Sequence, residues 1–337
     1  MPAEWESMAA TWLGWPVYEE RKDLWGQHYQ NVCQEFTLAA QTIARYQPCY
    51  VTAHWACLEH AKLLCGPTVT VIGVDAEDNW LRDFGPTFLV GPEGLGAAVF
   101  KFNAWGEKYA PYDGCTRAAN DIAIASKAKV FESHMVLEGG AFYVDGAGTL
   151  LTTESCLLDS SRNPGMSKTA METELRRMLG VRKVVWLPGN PLEVETNGHI
   201  DGIASFIDVG KLIVQGPALG DGESIRIYKE NIRALSLATD ADGRKFEWLV
   251  LPDPSVSERY GSERFCDCYI NYILVNGGLI TSAFNTDKDT EASAILSQAF
   301  PRRRIEMLPI PHISIGGGSL HCSTQQQPAL SINETQL

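Results

Sequence analysis

One cysteine near the end of the chain has a setting that suits a reactive thiol. Gly316–Gly318 stand a few residues before Cys322, and a polar run follows it. Glycine permits backbone conformations that are closed to other residues, and it lets the chain approach a ligand closely. A buried structural cysteine would need no such glycines. We therefore predict that Cys322 is a positioned nucleophile and that Gly318 lies against the substrate.

A thiol nucleophile needs a proton-transfer group and groups that bind its substrate, and the chain offers candidates for both. His199 and Asp201 stand two residues apart between glycines, so an extended backbone would turn both side chains to one side. Asp83 follows Arg82, and Glu138 precedes two glycines. Taken singly, each has an ordinary structural explanation, such as a satisfied histidine, an ion pair or a turn.

Carboxylates around a thiol favour a cationic substrate. A cysteine with a histidine alone suggests acyl transfer, but that reaction needs hydrogen-bond donors for an oxyanion, which carboxylates do not supply. A guanidinium group presents five N–H donors in a planar fork that carboxylates match in pairs. Its charge would also favour the thiolate at the moment of attack. The residue types therefore indicate a guanidinium substrate.

The candidate residues recur along the chain at similar intervals. The spacings are 55, 61, 72 and 51 residues between Asp83, Glu138, His199, Asn271 and Cys322. Each stands at the end of a strand-like segment, and helical patterns fall between them. A period of about 60 residues predicts a ring of five ββαβ units. The strand ends of such a ring converge on its axis, where distant residues can meet.

Local patterns predict the elements of this ring. Helices are predicted over 24–47, 58–64, 168–179, 224–237 and 289–300, and strands over 49–53, 68–74, 88–90, 135–137, 141–144, 183–187, 204–207, 268–274, 279–283 and 305–310. Residues 1–20 are expected to be irregular, with Trp5, Trp12 and Trp15 mainly in packing. No linker divides the chain, so we expect one domain over 1–330 and a loose tail over 331–337.

Composition limits the class of protein. With 28 basic and 41 acidic residues the formal charge is −13, which argues against nucleic acid or an anionic membrane as the main partner. No apolar run approaches the ~20 residues that span a bilayer. The start shows no export signal, so the nine cysteines are expected to be free thiols in the cytoplasm. A zinc set could be drawn from His54, Cys57, His60 and Cys65, but an ordinary helix explains them better.

At these positions the chain resembles the agmatine deiminase family, within the guanidine-modifying pentein superfamily that also holds the bacterial type of peptidyl-arginine deiminase. Each matching motif alone has little specificity, whereas the ordered set is highly specific and covers nearly the whole chain. The matching segments are 1–5, 11–16, 80–86, 103–106, 137–140, 148–156, 162–164, 195–201 and 316–328.

The resemblance implies a five-bladed α+β propeller that hydrolyses agmatine to N-carbamoylputrescine and ammonia, without a metal or organic cofactor. Such a reaction belongs to putrescine biosynthesis or to agmatine catabolism. Cys322 would attack the guanidinium carbon to give a thiouronium, and His199 would act as acid and then as base. Glu138 would support His199 or the substrate, while Asp83 and Asp201 would clamp the guanidinium nitrogens.

Further positions follow from the same resemblance. Trp80, Trp105, Asn271 and Gly318 are expected to bind the substrate, and related proteins often pair into homodimers. The chain departs from the family pattern at Ser319, at Tyr143 and over 264–269, which has two cysteines. We expect these departures to affect recognition of the substrate's distal end.

Other functions fit the same residues. The guanidine could belong to free arginine, a peptidyl arginine or a methylated derivative, and an arginine enzyme would place a basic group at the far end of its pocket. A relative could transfer the amidino group to an amine. A non-catalytic descendant would only bind a cationic ligand.

Overall fold

A computed structural model describes residues 1–17, 22–218, 220–256 and 264–330. Within these ranges, sixteen strands form five separate sheets, one of four strands and four of three strands. The predicted five-bladed α+β architecture is therefore confirmed. The predicted tail, residues 331–337, lies outside the described residues.

Four sheets are each built from one continuous stretch of chain. Their strands are β4 Thr87–Gly91, β5 Gly94–Lys101 and β6 Lys129–Val136; β7 Phe142–Val144, β8 Thr149–Thr153 and β9 Lys183–Leu187; β10 Ala204–Asp208, β11 Lys211–Gln215 and β12 Glu247–Leu251; β13 Ile273–Val275, β14 Gly278–Ser282 and β15 Arg304–Leu308. In every case the first two strands pair antiparallel and the last two pair parallel.

Helices make the crossovers that parallel pairing requires. The helices are α1 Lys22–Trp25, α2 Tyr29–Ala44, α3 Leu58–Cys65, α4 Leu81–Phe84, α5 Ala104–Glu107, α6 Asp113–Ala125, α7 Glu154–Leu157, α8 Lys168–Leu179, α9 Gly222–Leu237, α10 Lys288–Ala299, α11 Pro311–Ile315 and α12 Leu320–Ser323. Thus α6, α8, α9 and α10 each join the second and third strands of one sheet. None of the described helices is long and apolar enough to cross a membrane.

The fifth sheet joins the two ends of the chain. It orders β16 Thr324–Pro328, β1 Met8–Gly14, β2 Cys49–Ala53 and β3 Thr70–Gly73. β16 runs antiparallel to β1 and places Thr324 opposite Leu13, while β2 runs parallel to β1. The strand that follows Cys322 is therefore held by the N-terminal strand.

Capping residues explain where two of the longer helices, α8 and α9, begin and where α8 ends. The Ser167 side chain accepts a hydrogen bond from the backbone N–H of Ala170 at the start of α8, and Gly180 ends that helix in the left-handed conformation. Asp221 caps α9 in the same way, by accepting from the N–H of Glu223. The sequence prediction for α8 is correct to the residue, and that for α9 is two residues short.

Two sequence predictions are wrong. Residues 8–14 form β1 instead of an irregular segment, and six of the seven residues are buried. A strand buried on both faces lacks the alternating pattern that reveals a half-buried strand. The strand predicted over 268–274 begins only at Ile273, because residues 269–271 form a bend that leads to Asn271. Trp12 and Trp15 are packed in the core, as predicted.

Candidate active site

Each predicted catalytic residue, and Asn271 with them, lies just ahead of an edge strand of a sheet. Asp83 lies in α4 before β4, Glu138 before β7, His199 and Asp201 before β10, Asn271 before β13, and Cys322 in α12 before β16. Five sheets thus supply one cluster, and the predicted convergence is confirmed by the contacts described next. Tight turns hold the side chains there, because residues 139–141 and 200–202 form single 3-10 turns.

The Cys322 thiol is held between an amide and a carboxylate. Asn271 Nδ2 donates to Cys322 Sγ at 3.2 Å, and Asn271 Oδ1 accepts from the Cys322 backbone N–H at 3.3 Å. The thiol donates to Asp201 Oδ2 at 3.4 Å. The same oxygen lies 2.9 Å from His321 Nδ1, and His321 Nε2 lies 3.1 Å from Glu4 Oε1. We call Cys322, Asp201, His321 and Glu4 the nucleophile side.

A second group of ionisable residues lies next to Asp201, and we call Asp83, Glu138 and His199 the imidazole side. His199 Nδ1 lies 3.8 Å from Asp83 Oδ1, and His199 Nε2 lies 3.9 Å from Glu138 Oε2. At these distances each pair of groups interacts as an ion pair, without a direct hydrogen bond. Arg162 Nε donates to Glu138 Oε1 at 3.0 Å, with both side chains fully buried.

Asp83 is fixed by two donors. Trp105 Nε1 donates to Asp83 Oδ2 at 2.8 Å, and the backbone N–H of Gly140 donates to Asp83 Oδ1 at 2.9 Å. Gly140 is required here because a Cβ atom at that position would lie 2.7 Å from His199 Nδ1 and 2.9 Å from Asp201 Oδ2. The backbone of Gly140 therefore lies between the two sides of the site.

The three carboxyl groups Asp83, Glu138 and Asp201 have different proton affinities. Burial raises the pKa of Asp83 to about 6, with Asp201 and Glu138 adding to the shift. Burial also acts to raise the pKa of Glu138, but His199 and Arg162 lower it to about 2. The pKa of Asp201 is lowered despite burial, mainly because His321 pairs with it.

The thiol and the imidazole have opposite charge preferences. Burial, Asp201 and Asp83 together raise the pKa of Cys322 well above its ordinary value, so the unliganded site holds a neutral thiol. Burial alone would lower the pKa of His199, but Asp83 and other neighbours raise it well above its ordinary range. His199 is therefore an imidazolium at neutral pH and is ready to donate a proton.

A narrow pocket leads to the Cys322 thiol. Its lining consists of Trp80, Asp83, Trp105, Tyr109, Glu195, Thr196, Gly316, Gly317, Gly318 and Cys322. Trp80, Trp105 and Gly318, which the sequence predicted to bind the substrate, are among these lining residues. Asn271, predicted with them, does not line the pocket but contacts the Cys322 thiol. A Cβ atom at Gly318 would lie 2.7 Å from the Trp80 ring, so the glycine permits this close approach.

Sequence reasoning missed several residues of the site. His321 and Glu4 stand in segments that carry the family resemblance, and a histidine next to the proposed nucleophile was the available signal. Arg162 also stands in such a segment, yet its pairing with Glu138 cannot be read from spacing. Glu195 and Tyr109, at the pocket wall, are hydrogen-bonded to each other.

The departures from the family pattern lie in different places. The Ser319 hydroxyl is buried and lies 2.8 Å from the Ser282 hydroxyl. The Tyr143 ring packs 5.0 Å from the His321 ring. Neither side chain lines the pocket. Ser319 and Tyr143 are therefore not placed to affect recognition of the substrate's distal end. Arg264, in contrast, pairs with Glu195 at 3.1 Å beside the pocket.

Among the described residues, one group has the spacing of a metal site. Ligand atoms of Glu138, Cys156 and His199 all lie within 4.8 Å of one another. Two of its three residues, Glu138 and His199, belong to the imidazole side, and Arg162 already neutralises the Glu138 carboxylate. Within the described ranges, the residues considered as a zinc set around α3 do not form such a group; they are His54, Cys57, His60 and Cys65.

The ring of five ββαβ units, with a thiol, an imidazole and carboxylates at the strand ends, is the pentein arrangement of guanidine-modifying enzymes. The chain belongs to the Porphyromonas-type peptidyl-arginine deiminase family, which matches residues 1–328. It is therefore a deiminase, a hydrolase of carbon–nitrogen bonds in amidine groups.

Relatives and solved structures agree with this assignment. The chain is 36% identical to the agmatine deiminase of Pseudomonas aeruginosa (strain LESB58), over 98% of this chain and 95% of that protein. It is similar to the structure of the agmatine deiminase of Enterococcus faecalis, with a TM-score of 0.92, 30% identity, and coverage of 98% and 96%. A cysteine-to-serine variant of the C. jejuni agmatine deiminase with substrate bound gives a TM-score of 0.84, 25% identity, and coverage of 98% and 96%.

Proposed function

We propose that this chain hydrolyses the guanidinium group of agmatine to N-carbamoylputrescine and ammonia, through a covalent thiouronium on Cys322. The observation that carries the proposal is a thiol placed between buried carboxylates, with Asp201 on one side and Asp83 in the same pocket. Full-length relatives that are agmatine deiminases support this choice of substrate. The product would feed putrescine formation or agmatine catabolism.

The pocket favours a substrate that carries positive charge at both ends. Asp83 and Asp201 accept hydrogen bonds from the guanidinium nitrogens, and the Trp80 and Trp105 rings line the route to the thiol. Glu195, which pairs with Arg264 at 3.1 Å, adds a third carboxylate to the wall. Agmatine ends in an ammonium group, which suits that carboxylate.

Substrate binding activates the thiol. In the free protein, Asp201 and Asp83 raise the pKa of Cys322, so the thiol keeps its proton. A guanidinium cation between the carboxylates offsets their charge, which lowers the pKa of the thiol and releases its proton to solvent. The activating cation is thus the substrate itself.

The first half of the reaction forms the carbon–sulfur bond. Cys322 Sγ attacks the guanidinium carbon, and the electrons of the C=N bond move to nitrogen. His199, as an imidazolium, gives its proton to one amino group of the tetrahedral adduct. The C–N bond then breaks and ammonia leaves, so that a thiouronium remains on the sulfur.

The second half restores the enzyme. Neutral His199 takes a proton from water, and the resulting hydroxide attacks the thiouronium carbon. The C–S bond then breaks and its electrons return to sulfur. The hydroxyl proton of the adduct passes to that sulfur, which restores the neutral thiol, and the neutral carbamoyl product leaves. Glu138, whose carboxylate is held by Arg162, stabilises the positive charge on His199 in both halves.

Replacement of the nucleophile tests the proposal. Cys322→Ala is expected to lower the rate of ammonia release from agmatine by at least about 10⁴-fold, with an unchanged thermal melting curve. Cys57→Ala, which removes a half-buried thiol near α3, is the matched control and should keep the wild-type rate. A Cys322→Ala protein that still turned agmatine over would end the thiol mechanism.

One observation favours a second substrate. Arg264 lies beside the pocket and is the basic group that an arginine carboxylate would need, although Glu195 already pairs with it. We expect kcat/KM for agmatine to exceed that for free arginine by at least about 100-fold, because a carboxylate against Glu195 would be unpaired. Glu195→Gln should lower this ratio of the two kcat/KM values. A higher value for arginine would reassign the substrate.

A further inference from the structure

The His321 ring is enclosed on the side of the thiol away from the pocket. The residue precedes Cys322 in the chain, its side chain is fully buried, and it does not line the pocket. Its Nδ1 lies 2.9 Å from Asp201 Oδ2, and its Nε2 lies 3.1 Å from Glu4 Oε1. Because both nitrogens face a carboxylate, only the doubly protonated ring can donate to both.

The charges around the ring support this protonation state. Burial and Arg82 act to lower the pKa of His321, but Glu4 and Asp201 raise it. The pKa values of Glu4 and Asp201 are lowered in turn, chiefly by His321 once burial is overcome. The other ionisable group packed on the ring is Tyr143, whose pKa is raised by burial, so it remains a neutral phenol.

Glu4 is itself held in place. Arg82 Nη1 lies 3.3 Å from Glu4 Oε1, and Gln326 Nε2 donates to the same oxygen at 3.3 Å. Arg82 also donates to Gln325 Oε1 at 2.6 Å and to the carbonyl oxygen of His321 at 3.2 Å. The N-terminal segment therefore contributes one fixed carboxylate to the wall behind the nucleophile.

We propose that His321 is a positioning residue: as an imidazolium anchored by Glu4, it holds the Asp201 carboxylate ionised and directed at Cys322 Sγ and at the guanidinium. Asp201 Oδ2 accepts from both His321 and the thiol, so a change in the imidazolium changes the group that clamps the substrate. This inference rests on the proposed function. It also assigns a role to the segment 1–5, which carries the family resemblance.

Two substitutions of His321 separate its two hydrogen bonds. The amide nitrogen of His321→Asn can take the place of Nδ1 and donate to Asp201, whereas that of His321→Gln takes the place of Nε2 and donates to Glu4. We expect His321→Gln to lose about 100-fold in kcat/KM for agmatine because Asp201 is displaced. His321→Asn should remain at least about tenfold more active than His321→Gln. Equal losses in the two variants would contradict the proposal.

Glu4→Gln tests for a change that a purely structural role of His321 would not produce. The amide oxygen still accepts from His321 Nε2, but the negative charge is gone, so the pKa of His321 falls. We expect the alkaline limb of the kcat/KM profile to move to lower pH in Glu4→Gln. In the double variant with His321→Asn, the Glu4 substitution should cause no further shift. An unmoved limb in Glu4→Gln would overturn the proposal.

Alkylation of Cys322 by 2-chloroacetamidine, a cationic amidine, keeps the two proposals distinguishable. If the wild-type protein labels readily but does not turn agmatine over, the proposed substrate is wrong and the His321 comparison is made on labelling rates. If His321→Gln labels as fast as the wild type in that assay, the positioning role is wrong whatever the substrate. Should His321→Gln fail to fold, the nearly isosteric Glu4→Gln variant decides the matter.

Discussion

The nucleophile side and the imidazole side differ in how fully their hydrogen bonds are satisfied. On the nucleophile side, all four residues have at least one hydrogen bond, and His321 uses both ring nitrogens. On the imidazole side, both ring nitrogens of His199 and Glu138 Oε2 are buried without a hydrogen-bond partner among the described residues. An unsatisfied buried polar group costs about 1–3 kcal/mol.

The difference indicates which hydrogen bonds of the site the folded protein makes by itself and which ones we expect a bound substrate to add. The nucleophile side is preorganised, because its hydrogen bonds are complete without donors from a ligand. The imidazole side keeps three buried polar atoms unsatisfied, with His199 Nε2 3.9 Å from Glu138 Oε2, and we expect bound substrate to bring these groups into hydrogen bonds. Unsatisfied groups in a native protein mark such positions.

Among the predictions that contrast the two sides, the largest expected effect comes from removing the imidazole. His199→Asn should lower kcat for agmatine by about 10³-fold, because no group then protonates the departing ammonia. Labelling of Cys322 by 2-chloroacetamidine needs no such proton and should continue, unlike in His321→Gln. His134→Asn, at an exposed position of β6, is the control. Equal loss of labelling and turnover in His199→Asn would erase the functional distinction between the two sides.

The second prediction concerns the pH dependence of stability. The folded-state pKa of Asp83 is about 6, above its ordinary value of 3.8. Between these values the unfolded chain releases a proton that the folded protein keeps, so stability falls as pH rises and the full cost of about 3 kcal/mol applies above pH 6. Urea unfolding of the wild type should therefore lose about this much relative to Asp83→Asn between pH 4 and 7.5.

Asp201 provides the opposite sign. Its folded-state pKa is lowered, so its contribution to stability is present above its ordinary pKa and is lost only as pH falls below that value. Relative to Asp201→Asn, the wild type should thus show no loss between pH 4 and 7.5. Urea is the denaturant of choice, because guanidinium is the group that the proposed substrate presents to this site. A parallel loss for both aspartates would refute the contrast.

The smallest effect is expected where the two sides meet. A methyl group in Gly140→Ala would lie within 3 Å of His199, Asp201 and Asp83, and should lower kcat/KM by about 100-fold through displacement of these groups. Gly202→Ala is the matched control, because its Cβ atom would meet nothing within 4 Å. Steady-state kinetics on agmatine, with melting curves for both variants, provide the comparison. Wild-type kinetics in Gly140→Ala would show that the site is looser than its geometry indicates.

Much of the fold and of the site's membership could be predicted from the sequence. The order and spacing of Asp83, Glu138, His199, Asn271 and Cys322 predicted five units, because each unit places a polar residue before its first strand. β1 could not be predicted, since a strand buried on both faces shows no alternation. The Glu4–His321 contact joins residues from opposite ends of the chain, and no local pattern encodes such a pairing.

The pairing of β1 with β16 has a consequence for the order of folding. Four sheets come from continuous stretches and can form locally. The fifth sheet is complete only when β1 pairs with β16, which brings Leu13 opposite Thr324 across almost the entire chain. Closing so long a loop is slow, because its entropy is lost before the contacts repay it. Catalytic competence should therefore return late in refolding, after most of the secondary structure, because the strand that fixes the nucleophile is the one that completes the ring.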